Sequence, residues 1–189
     1  MKQVYCFIIC LSACLLMGCG GNKQNLVEEQ RQIYQIDSVD EHTGIQRMQV
    51  MRIDQEIVCK GKKYRLAIER TPTDELPAVK SEMGTFADNR ITVKISHENG
   101  ISLFSKSFIK NDFAAHLTTN YLKHSILEGL VFDDIKTGEN KEITLAASVS
   151  YPMTDFYIPF VLVVSQDGKL TISKDEDMGE MTFLEESKE

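Results

Sequence analysis

From about residue 46 onward, apolar side chains recur at every second position. Met48 and Val50 share one parity and Met51 and Ile53 the other, a phase slip that predicts a bulge or a change of face. The turn Lys60-Gly61-Lys62-Lys63 follows. Tyr64, Leu66 and Ile68 then alternate with Arg65 and Glu69, as in a half-buried strand. Thr71 to Asp88 contains Pro72, Pro77 and Gly84 and has no clear period, so it reads as a long loop, functional or locally packed. Ile91, Val93 and Ile95 form the next strand, and Asn99-Gly100 separates it from Ile101 and Leu103. Asn-Gly tolerates positive φ at both central turn positions, so the spacing predicts a type I′ hairpin.

The period then lengthens. Phe113, Leu117, Tyr121 and Ile126 fit a helix of about four turns, with Asn111 or Asp112 to cap its start and Gly129 placed to end it. After a turn at residues 137–140 the period returns to two. Ile143, Leu145, Ala147, Val149 and Tyr151 give the longest clean alternation, which Pro152 stops. Residues 160–164 (FVLVV) are continuously apolar, which predicts a central strand covered on both faces. Asp167-Gly168 turns the chain into a return strand through Leu170 and Ile172. The fold class is therefore α+β: a mainly antiparallel sheet of about seven or eight strands, as a sandwich or partly open barrel, with one helix packed on it.

The first residues follow neither period. Lys2 precedes an uncharged run from Val4 to Met17, too short to span a bilayer core that needs about 20 residues. A charged start, a short apolar stretch and a small residue before the cut describe a secretory signal over residues 1–18. Leu16-Met17-Gly18-Cys19 resembles a bacterial lipoprotein lipobox. The resemblance implies cleavage after Gly18 and acylation of Cys19, whose thiol forms the thioether to the lipid. Two or three acyl chains anchor stably where one does not, each buried CH₂ contributing about 0.8 kcal/mol. Residues 19–44 read as a tether reaching about 25–30 Å, residues 45–175 as the globular domain, and residues 176–189 as an acidic tail.

Cleavage also simplifies the cysteines. Cys6, Cys10 and Cys14 leave with the signal and Cys19 takes lipid, so Cys59 remains without an intramolecular partner, read as a small buried hydrophobe. The formal charge of −7 disfavours a broad nucleic-acid binder. After cleavage the charge is −8, of which Lys174–Glu189 carries −5, so most of the acidity belongs to the tail rather than to a binding face.

Several stretches resemble a family of lipoproteins of unknown function from Bacteroides-type gut bacteria. They are Thr43-Gly44-Ile45-Gln46, Leu76-Pro77-Ala78-Val79, Asp88-Asn89-Arg90-Ile91-Thr92, Ile126-Leu127-Glu128-Gly129, and Ser148 to Pro152 with Asp155 and Tyr157-Ile158-Pro159. The resemblance covers roughly residues 40–175 and implies secretion, lipid anchoring and a β-rich domain. It carries over no activity and no catalytic residue.

Candidate chemistry is sparse. The chain contains no nucleophile elbow, Walker loop or zinc signature, so no catalytic residue, metal or cofactor is expected. Asp112 with His116 and His124 with Glu128 sit four apart, as pairs that support a helix. Asp133-Asp134 and Asp155 are carboxylates that could meet at a sheet rim. Arg90, Asp88 and Asp155 are the candidate ligand or partner surface. The expected function is a non-enzymatic binding or accessory module, anchored to a membrane by lipid and meeting another envelope protein or a glycan. The alternatives are an envelope hydrolase with a dispersed site or a carrier of small apolar ligands. Outer membrane is favoured over inner, and the periplasmic side over the exterior, because Gly20-Gly21-Asn22-Lys23 lacks the acidic cluster associated with surface export.

Overall fold

The alternating segments fold into three four-stranded sheets, described over residues 36–176 of a computed structural model. The signal, Gly18, Cys19 and the acidic tail beyond Glu176 lie outside the described residues. The strands are β1 (Ile36–Val39), β2 (Ile45–Met48), β3 (Met51–Cys59), β4 (Lys62–Thr73), β5 (Val79–Ser81), β6 (Gly84–Phe86), β7 (Asp88–His97), β8 (Ser102–Phe108), β9 (Ile126–Phe132), β10 (Ile143–Ser150), β11 (Tyr157–Val164) and β12 (Leu170–Lys174). Sheet I has the order β1-β2-β6-β5, sheet II β3-β4-β7-β8 and sheet III β12-β11-β10-β9. Every pairing is antiparallel except β2 with β6.

Sheets II and III bury their inner faces against each other in a sandwich-like α+β arrangement that does not close into a barrel. Leu66, Ile91, Val93 and Phe108 of sheet II and Leu145, Val149, Phe160 and Leu162 of sheet III are fully buried in one cluster. Phe113 plugs this core, its ring centroid 4.8 Å from that of Phe160 in a tilted contact. Sheet I has a smaller core of its own, in which Met48, Val79 and Phe86 meet Ile126 of β9.

The phase slip after Val50 marks the passage from β2 in sheet I to β3 in sheet II. One residue of changed parity is what a strand needs when it leaves one layer for another. The long loop is structured: β4 runs on to Thr73, and β5 and β6 form a short hairpin within it. Ile36–Val39 pairs with β2, so ordered pairing begins inside the segment expected as tether. Among the described residues there are therefore twelve strands, against the seven or eight expected.

The type I′ turn occurs elsewhere than expected. Lys60 and Gly61 have φ of 52° and 72° and join β3 to β4 directly. At Asn99-Gly100 only Gly100 has positive φ, at 83°. There the Gly100 N–H donates to the His97 carbonyl, and a register shift follows between Ile95 and Ser96. That geometry is a type I turn closed by a glycine bulge, the usual three-residue solution.

The single four-turn helix is also corrected. Lys110–His116 is a 3-10 helix and Thr119–His124 is α1, with Leu117 extended between them. Thr118 caps α1 by accepting from the Tyr121 N–H at 3.2 Å, which competes with a continuous helix. Ile126–Phe132 is strand, so Gly129 lies inside β9 and caps nothing. The expected turn at 137–140 belongs to a second helix, α2 (Asp134–Asn140), started by the Asp133 carboxylate accepting the Lys136 N–H and ended by Lys141 at φ 59°.

Candidate functional site

Two polar or concave regions stand out, and they differ in kind. The first is a buried node where the chain passes from β6 of sheet I into β7 of sheet II, β9 begins and the 3-10 helix starts. Asp88 is 1% exposed. Its Oδ1 accepts the Asn89 N–H at 2.8 Å and the Leu127 N–H at 3.0 Å, and its Oδ2 lies 3.3 Å from Lys110 Nζ. Lys110 also donates to the Ser125 carbonyl at 2.7 Å, and Asn89 Nδ2 to the Leu127 carbonyl at 2.9 Å. Alongside, Arg70 donates to the carbonyls of Glu128 and Gln49. Burial pushes the Asp88 carboxyl above its usual range, against the opposing pull of Lys110 and the two backbone N–H groups. Burial also raises the Glu128 carboxyl, with Ser150 and Arg70 opposing it. Every named partner is a backbone group or a neighbour in the node, so this cluster stitches strand ends together and offers no open face.

Asp88 therefore leaves the expected ligand surface. Arg90 points to the outer side and pairs with Glu75 at 2.7 Å, in the fixing role that an arginine beside turn-formers can take. Asp155 is exposed in the β10–β11 turn. Among the described residues no hydrogen bond or ion pair joins these three.

The other candidates also disperse. Asp112 accepts from the Ile109 N–H and from Lys106, while the His116 ring packs 6.0 Å from Phe160. His124 Nδ1 lies 2.9 Å from the Lys80 carbonyl, and Glu128 is in the following strand. Asp133 is spent on capping α2. Among the described residues no three His, Cys, Asp or Glu side chains converge as a metal site would require. Cys59 is buried, and burial pushes its thiol up, away from a reactive thiolate.

The second region is the outer face of sheet III, and sequence reasoning missed it. Sheet II shows water a charged outer face. Arg52–Glu69, Arg65–Asp54 and Lys63–Glu56 bridge β3 and β4 at 2.8, 2.7 and 2.9 Å. Sheet III does the opposite. On β10, Ile143, Leu145, Ala147 and Val149 point inward, so Ala146 and Ser148 point out, and their partners Val131, Val161, Gly129 and Pro159 share that face. None is charged. Val131 is 44% exposed, and Val161 and Val163 are half-buried rather than covered.

Small side chains turn part of this face into a trough of about 430 Å³. Gly129, Ala146 and Ser148 floor it. A Cβ added to Gly129 would stand 3.4 Å from Ser148 Oγ, so the floor is low because the side chains there are small. Helix α2 forms one wall with Ile135, 74% exposed, and Lys136. Thr137 fixes that wall, its Oγ1 accepting the Thr144 N–H at 2.9 Å. Lys136 reaches down to Asp175 at 2.5 Å, a bridge largely shielded from water at the end of the trough. An apolar floor with one ion pair at its edge suits recognition of an apolar segment better than bond-breaking chemistry. Sequence carried a signal for this face, in apolar Val161 and Val163 at the outward parity of β11 opposite small residues of β10.

No curated protein matches the chain. Residues 29–172 match the model of a domain of unknown function, DUF4738, and the chain belongs to that family.

Proposed function

We propose that this protein is a lipid-anchored accessory module of the cell envelope that binds a partner through the outer face of sheet III. The observation that carries the binding role is the contrast between the two outer faces. One is laced with cross-strand ion pairs, as a solvated face is. The other has an apolar floor, is grooved and walled by a helix, and carries the Lys136–Asp175 ion pair at its edge. The anchor rests on Leu16-Met17-Gly18-Cys19, which would hold the domain at the outer membrane on its periplasmic side. A carrier role has less support, because large side chains such as Phe108, Phe113 and Phe160 fill the space between sheets II and III. A hydrolase role has less support, because among the described residues no three His, Cys, Asp or Glu side chains converge.

The test is capture of envelope components by the anchored protein and by two variants. Ala146→Arg puts a long cation in the trough, and Lys94→Glu changes the charged face of sheet II. A specific partner retained by Lys94→Glu and lost by Ala146→Arg supports the reading. A partner lost by Lys94→Glu and kept by Ala146→Arg overturns the assignment of the face.

A further inference from the structure

We infer that two copies of this chain pair antiparallel along the open edge of β3, joining their copies of sheet II into one continuous sheet. This contact uses no residue of the sheet III face. It is supported by an open strand edge, a charge pattern complementary to itself, and two exposed valines at the ends of that pattern.

Among the described residues β3 is the longest edge strand, nine residues in unbroken register with β4, and no strand lies on its other side. The two-residue turn Lys60-Gly61 makes Cys59 and Lys62 a hydrogen-bonded pair, so every second residue back along β3 bonds to β4. Arg52, Asp54, Glu56 and Val58 therefore turn their N–H and C=O groups to the open side. Two other edges are already engaged. β9 spends the Leu127 N–H on Asp88, the Leu127 carbonyl on Asn89 and the Glu128 carbonyl on Arg70. β8 has the turn after β11 against it, where a Cβ on Gly168 would stand 2.5 Å from the Leu103 carbonyl oxygen. β3 contains neither a proline nor a bulge, two devices that keep an edge from pairing. It has charges instead, and their order favours a second copy.

The side chains of the open-side residues lie on the outer face, in the order Arg52, Asp54, Glu56, Val58. A twofold axis through Asp54 sets Arg52 against Glu56 of the second copy, and Glu56 against Arg52 of the second copy. Opposite charges directly across an antiparallel pair stabilise it. The same register sets Val50 against Val58 of the second copy at each end, and these valines are 45% and 53% exposed. Asp54 meets its own equivalent on the axis, where Arg65 of the same copy already holds each carboxylate with bonds of 2.8 and 2.7 Å. The neighbouring registers are worse. One sets Asp54 against Glu56, and the other sets Val50 against Glu56. In the favoured register, residues 52, 54 and 56 of the two copies exchange about six backbone hydrogen bonds. The seam is narrow, so the dimer is reversible rather than obligate. Being isologous, the contact closes on itself and gives dimers rather than fibres.

The experiment uses two differently tagged full chains, expressed together and solubilised in detergent, with one captured and the other measured. Wild type should capture wild type. Arg52→Glu faces Glu56 of a like copy, and Glu56→Arg faces Arg52 of a like copy, so each variant should capture itself at least about fivefold less. An Arg52→Glu copy meeting a Glu56→Arg copy has opposite charges at both places, and capture should return to within about twofold of wild type. Misfolding cannot produce that recovery, because each variant carries its own defect into every pairing. Ala146→Arg should leave self-capture unchanged. No capture between wild-type copies, equal capture in all combinations, no recovery in the mixed pair, or loss with Ala146→Arg overturns the inference. Self-capture and capture of another envelope component are separate readouts, so either reading can fail alone.

Discussion

Replacing Asp88 separates two things a buried carboxylate can supply, an acceptor and a charge. Its Oδ1 accepts two backbone N–H groups, from Asn89 and Leu127, with almost no access to water. Asp88→Ala strands both donors in the interior at about 1–3 kcal/mol each. Relief from desolvating the carboxylate offsets part of this, which leaves a net loss of about 2–4 kcal/mol. At about 2–4 °C per kcal/mol for a domain of this size, Tm should fall by roughly 5–15 °C. Asp88→Asn keeps the acceptor and drops the charge, so it should cost less than half as much. The charge has its own signature. Burial raises the folded carboxyl above its ordinary 3.8, so the folded chain holds that proton more tightly than the unfolded chain. Stability from this group is undiminished below about pH 3.8 and declines as pH rises through the folded value. Asp88→Asn should flatten that decline. Urea unfolding of the three proteins across pH 4–8 measures both effects. If Asn is as damaging as Ala, the charge and its pairing with Lys110 hold the node, and the acceptor reasoning is refuted. If Ala costs under about 1 kcal/mol, the node does not bind the strand ends together at all.

Other expectations follow from the same residues. Cys19→Ala should abolish incorporation of a fatty-acid probe and leave an uncleaved precursor, and persistent labelling would remove the anchor. A Cβ on Gly168 would meet the Leu103 carbonyl oxygen at 2.5 Å at a φ of 77°, whereas one on Gly61, at φ 72°, meets nothing within 4 Å. Gly61→Ala should therefore cost about 1 kcal/mol, the strain of positive φ alone, and Gly168→Ala clearly more, by chemical unfolding. The Cys59 thiol, buried and raised in pKa, should react with a maleimide only in denaturant, and rapid labelling of the folded protein would contradict its burial.

Period-two alternation made sheets II and III legible in the sequence, because each has one face in a common core. The residues Ile91, Val93 and Ile95, and Ile143 to Val149, needed no other signal. The helix was misread because Phe113 and Tyr121 are both buried at a helix-compatible spacing. Thr118 breaks the path between them by capping a new helix, and a cap inside an apolar period is easy to pass over. The β5–β6 hairpin has strands of only three residues, too short to show any period. The FVLVV run was read as doubly covered, yet its outward valines are the half-exposed face of sheet III. A continuous apolar strand looks the same whether its second face meets the protein's own core or is left for a partner. Asp88 was placed at the surface because a charged residue beside turn-formers usually lies there. Only the packing of β7 against the start of β9 and Lys110 of the 3-10 helix buries it.

The most direct measurement is site-specific photo-crosslinking in intact cells from the lipid-anchored protein. A photoreactive side chain at position 146 samples the trough, and one at position 94 samples the charged face of sheet II. A partner recognised through sheet III should give a discrete, heavier adduct from position 146 and none from position 94. An adduct from position 94 alone, or none from either, would contradict the assignment of sheet III as the face this protein uses.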